Sequence, residues 1–109
     1  MKATLLFKSK FAVALEDGRE LTIFMDCYQL NGHAMTFAKD YRFSWIAFDA
    51  EAPVKKVLMD QHPHKKAHLH FDDKEESIET EFLDLDEAIA YFFKAVERHF
   101  GPLKEPETR

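Results

Sequence analysis

The chain has 109 residues, a net charge of −5 at neutral pH, eleven phenylalanines and a single cysteine. That length suits one domain, which can bury roughly two-thirds of the surface its unfolded form exposes and needs no disulfide or metal merely to fold. A lone Cys27 excludes an internal disulfide, and with an N-terminus lacking a signal-like apolar stretch it predicts a reducing cytoplasm. No run of about 18 apolar residues occurs, which argues against a membrane helix. The acidic balance argues against coating nucleic acid along the whole surface, but it leaves room for a small local basic site.

The first two-thirds of the chain read as strands. Segments 4–9 and 11–16 are apolar or alternate, with Phe11, Val13 and Leu15 on one face. "EDG" (16–18) is a tight-turn signal, with Gly18 free to take a positive φ. "RELTIFMD" then puts Leu21, Ile23 and Met25 on one face, and "NGH" (31–33) marks a second turn. "YRFSWIAF" (41–48) aligns Tyr41, Phe43 and Trp45, and a Pro-bearing turn (49–53) leads into "VKKVLMD" (54–60). In "KKAHLHFD" (65–72), Ala67, Leu69 and Phe71 alternate with Lys66, His68 and His70. A last short strand is expected over 77–82.

The period then changes from two to between three and four. Leu85, Ala88, Ile89, Phe92, Phe93, Val96 and Phe100 form the stripe of an amphipathic helix. Asp84 is its expected N-cap, with Glu87 three residues later, and Gly101 and Pro102 end it. A helix with such a stripe must bury it against the sheet. The expectation is α+β: an antiparallel sheet of about five to six strands, covered on one face by the C-terminal helix. Residues 1–102 form the domain and 103–109 a flexible tail. The other sheet face is then solvated, or covered by a partner or a second copy in a homodimer.

"MDQHPHKKAHLHFDD" (59–73) holds four of the six histidines within nine positions. His68 and His70 share one strand face with Lys66, while Leu69 points to the core. Pro63 sets His62 and His64 in a loop rather than a central strand. Four readings fit. The histidines can be exposed polar positions of an edge strand and its loop. They can ligate zinc or another divalent transition metal through His62, His64, His68 and His70, although the spacing matches no familiar zinc motif. They can form a metal-free acid–base site, since histidine titrates near neutral pH and lysine supplies positive charge for a phosphate. Or Lys55, Lys56, Lys65 and Lys66 can form one basic patch that contacts nucleic acid or an acidic partner. The acidic run 72–87, nine carboxylates to one lysine, reads as a solvated loop and helix start. Cys27, His33 and His99 read as structural.

Several stretches together resemble the TumE family of small bacterial proteins, the toxin halves of toxin–antitoxin pairs. The opening "MKATLLFKSKFAVALEDG" is similar to that family's first hairpin. "VLMDQ" (57–61) is similar to its strand ending in an acidic residue, here Asp60. "HKKAHLH" (64–70) resembles its histidine motif, and "DLDEAIAYFFKAV" its closing helix. The resemblance implies growth inhibition neutralised by a helix-turn-helix antitoxin. It makes a ribonuclease acting on RNA without a cofactor the expected activity. In that expectation His68 and His70 serve as acid and base, Lys66 as phosphate anchor, and His64 and Asp60 as supporting partners. The alternative is a non-catalytic domain that binds a partner or a metal.

Overall fold

The structure, a computed structural model, describes residues 3–30, 41–62, 67–79 and 81–104. The expected turn at 31–33 with His33, and the residues His64, Lys65 and Lys66, lie outside the described residues. Six strands are followed by one helix: β1 (Ala3–Ala14), β2 (Glu20–Leu30), β3 (Tyr41–Asp49), β4 (Ala52–Gln61), β5 (His68–Phe71), β6 (Lys74–Ser77) and α1 (Leu85–Phe100). The strands lie side by side in chain order, every neighbouring pair antiparallel. The α+β architecture read from the sequence is the one observed. Among the described residues no helix is long and apolar enough to cross a membrane.

Period-two patterning decides which side chains form the core. Leu21, Ile23, Met25 and Cys27 of β2, Phe43, Trp45 and Ala47 of β3, Val57 and Met59 of β4, and Leu69 of β5 are all buried. Register sets Trp45 between Met25 and Met59. Its ring is fully buried, stacks on Phe43 at 4.0 Å between centroids, and meets Phe92 of α1 edge-on at 5.8 Å. Its indole N–H donates to the Asp26 carbonyl at 2.8 Å, so the one polar atom of this large side chain is satisfied. Ala88, Phe92, Ala95, Val96 and Phe100 form the buried stripe of α1. Burying a phenylalanine of that kind contributes about 1.5–3 kcal/mol.

Both helix ends follow the sequence reading. The Asp84 carboxylate accepts the Glu87 N–H at 2.9 Å, and Gly101 closes the helix at φ +107°, a conformation that costs other residues strain. Arg19, held by Asp17 at 2.8 Å, donates to the Phe100 carbonyl at 2.6 Å, placing a cation where the helix dipole favours one. Beyond the helix, Leu103 bridges Leu15 and the Lys104 N–H donates to the Ala14 carbonyl. The chain is therefore tied to the end of β1 through Lys104, where a tail was expected from residue 103.

Two strand expectations are corrected. Segments 4–9 and 11–16 join in one strand that ends at Ala14, with a register irregularity between Leu5 and Phe7, and Leu15 and Glu16 lie beyond it. Of the strand expected over 77–82 only Ser77 is in a strand among the described residues; 78, 79, 81 and 82 are not. Asp72 at φ +59° and Asp73 make a two-residue turn, so the pairing strand is Lys74–Ser77. After Ser77 the apolar residues turn to the core: Ile78 and Phe82 are buried, and Phe82 packs edge-on against Tyr91 of α1 at 5.3 Å.

Candidate functional site on the open sheet face

The alternate residues of each strand point away from α1, onto an open face. Lys8, Asp26, Ser44, Asp60, His68 and Ser77 fall opposite one another in turn, one polar row across all six strands. The next row is Lys10, Phe24, Ile46, Leu58, His70 and Glu75. The first row ends in chemistry-bearing groups and the second has an apolar centre. Phe24 is 40% exposed there, its ring parallel to that of Phe48 at 6.1 Å.

His68 and His70 are both on this face, half-buried and two positions apart, a spacing of roughly 6.6 Å along a strand. Leu69 between them is buried, as the alternation requires. Asp60 faces His68 across the β4–β5 ladder, the position at which cross-strand side chains meet. His68 Nδ1 lies 2.8 Å from Glu75 Oε1, and exposed His62 Nε2 lies 3.9 Å from Asp60 Oδ2. The β3–β4 pairing ends with Phe43 opposite Gln61, which leaves Arg42 and His62 next along the two strands. The Arg42 guanidinium rests over the Tyr28 ring at 4.9 Å. The open face thus carries three imidazoles, two carboxylates beside them and a permanent cation on β3. Such a set can take a proton at one atom, give one at another, and offset developing negative charge.

Of the residues singled out in the sequence, His68, His70, Asp60 and His62 come together here. Lys55 and Lys56 do not join them. They sit near the start of β4, lining a cleft of about 450 Å³ with Val54, Asp72 and Asp73. Lys56 is four residues from Asp60, about 13 Å along the strand. The positions of His64, Lys65 and Lys66 are outside the described residues. Among the described residues, no three His, Cys, Asp or Glu side chains form a group that could hold a metal ion. A larger cleft of about 510 Å³ opens at the same end of the sheet as Lys55 and Lys56, away from the histidines, between Asp17, Arg19, Thr22, Asp49 and Glu51, with Arg19 already engaged.

Glu75, Arg42, Tyr28 and Ser44 were missed in the sequence reading. Glu75 was hidden in the acidic run, and the others sit on strands remote in sequence. Only register puts them on the face that carries the histidines, and of the four Glu75 reaches His68. The structural reading of His99 gains a partner: its Nε2 is 2.9 Å from Asp72 Oδ1, which also accepts the Lys56 N–H. Its hydrogen bond with Asp72, followed by that of the Lys56 amide, holds the Asp72 carboxyl below its ordinary value. Burial, with the Asp26 charge as a lesser cause, pushes the Cys27 thiol up to about 11, which makes it a poor nucleophile. No protein-family model matches the chain, no curated protein shows significant similarity to it, and no solved structure matches it.

Proposed function

We propose that this protein is the toxin of a bacterial toxin–antitoxin pair and acts in the cytoplasm as a metal-independent ribonuclease. The observation that carries this reading is the pairing of His68 and His70 on one accessible face, with Asp60 opposite His68 and Glu75 bonded to it. The resemblance of 57–61, 64–70 and the closing helix to the TumE family supports the toxin half of the reading.

The chemistry balances without a metal. One imidazole takes the proton of a ribose 2′-hydroxyl as O2′ bonds to phosphorus. The P–O5′ bond breaks, and the leaving oxygen takes a proton from the other imidazole, held as imidazolium. The products are a 2′,3′-cyclic phosphate and a 5′-hydroxyl, and exchange with water restores both histidines. Arg42, and Lys66 as the expected phosphate anchor, supply positive charge. Acid–base catalysis of this kind contributes about 10²–10⁴-fold in rate. The test is induced expression in a bacterial host. Wild type arrests growth and degrades RNA, and His68→Ala/His70→Ala at equal soluble level does neither. Equal toxicity of the two proteins would sink the proposal.

A second reading is a non-catalytic domain that binds a partner through the same face. The exposed Phe24 beside Phe48, Ile46 and Leu58 favours it, because a helix-turn-helix antitoxin could cover that apolar row. Its mark is a stable complex with the neighbouring gene product and no RNA cleavage by the free protein.

A further inference from the structure

The histidine pair is not symmetric, and the asymmetry assigns roles. Glu75 stands directly opposite His70 in the β5–β6 ladder, yet its carboxylate reaches diagonally to His68, with 2.8 Å between Oε1 and Nδ1. An ionised carboxylate only accepts hydrogen bonds. At that distance the proton therefore sits on Nδ1, which leaves the neutral His68 ring with its lone pair on Nε2. A free imidazole prefers the opposite tautomer, so this one is imposed by the partner. Asp60, across the other ladder, is the second carboxylate beside this ring, and it also faces His62. Among the described residues His70 has no hydrogen bond or ion pair to fix its ring.

We propose that Glu75 is a positioning residue: by holding the Nδ1 proton of His68 it makes Nε2 of His68 the base of the site and leaves His70 as the acid. The proposal rests on the ribonuclease reading and adds direction to it. His68 Nε2 takes the 2′-hydroxyl proton, Nδ1–H stays bonded to Glu75, and the imidazolium that forms is stabilised by the carboxylate beside it. His70, as imidazolium, gives its proton to the leaving O5′. The competing account is a strap: an exposed cross-strand pair that only steadies the β5–β6 hairpin, which such pairs do weakly.

The deciding experiment has a readout that does not depend on activity. Imidazole ¹⁵N shifts of His68 are recorded in the full-length protein at a pH where the ring is neutral. The same preparations are assayed on an RNA oligonucleotide with chelator present. Wild type is expected to show the Nδ1–H tautomer. Glu75→Ala should revert to Nε2–H and lose about 10–100-fold in kcat/KM, the range seen when the partner orienting a metal-bound histidine is removed. Glu75→Gln, whose amide oxygen still accepts, should keep the tautomer and recover part of the activity. Glu76→Ala, a hairpin change on the opposite face, should alter neither. An Nε2–H tautomer in wild type overturns the proposal, as does unchanged kcat/KM in Glu75→Ala. A protein that shows the Nδ1–H tautomer but cleaves no RNA removes the ribonuclease reading and reduces the pair to a strap.

Discussion

The two faces of the sheet are built from the same strands and serve opposite ends. Toward α1, Trp45, Phe43, Val57, Met59 and Leu69 are 2% exposed or less and interlock with Phe92 and Val96. Away from α1, the residues one position along are Ser44, Asp60, His68 and His70, partly open and polar. The difference teaches where each kind of substitution should act. Strand alternation hands one set of residues to packing and leaves the next on the open face, so on the proposed function stability and activity should separate residue by residue. A single step in register would exchange the two sets, which is why the pairing is strongly specified.

The largest effect expected is on the packed face. Trp45→Ala should destabilise by about 3–5 kcal/mol, read as a lower urea midpoint, because it empties the contact between Phe43 and Phe92. A loss under about 1 kcal/mol would mean that the two faces are not divided as described. Next comes the helix end. Gly101→Ala places a side chain at φ +107° with open space around it, so backbone strain alone should cost about 1–2 kcal/mol in the same assay.

Smaller and conditional is the contact that fixes the β5–β6 turn to α1. The folded-state pKa of Asp72 is depressed by His99, so the contribution is present above the unfolded value near 3.8. It is lost as pH falls through the lower folded value. Asp72→Asn should therefore unfold with a flatter dependence on pH below 4 than wild type. Identical acid profiles would show that the bond contributes nothing. The smallest stability change should come from the open face: His68→Ala/His70→Ala should stay within about 0.5 kcal/mol of wild type, while cleavage is lost. A large loss of stability in that variant would blur the comparison and return the histidines to a structural role.

Much of this division was legible in the sequence. Alternation within β2, β3 and β5 predicted which residues are buried, and the helix begins and ends where Asp84 and Gly101 place it. The same alternation put His68 and His70 on one face. What was not legible depends on partners across the ladder. The exposed run Lys74–Ser77 has no apolar period of its own and becomes a strand because the turn at Asp72 and Asp73 folds it back on β5. Ile78 and Phe82 looked like strand residues because apolar alternation does not say whether a side chain packs on a strand or on a helix. Glu75 was one carboxylate among nine until register brought it within reach of His68. Lys56 lies four residues along β4 from Asp60, a separation that sequence distance hides, while Lys65 and Lys66, the other half of the expected basic patch, lie outside the described residues.

The most direct measurement is cleavage of RNA by the purified protein with chelator present, comparing wild type with His68→Ala/His70→Ala and taking the urea midpoint of both. The account predicts that wild type cleaves and leaves 2′,3′-cyclic phosphate ends, and that the variant, equally stable, does not. Cleavage by both proteins, or by neither, contradicts it.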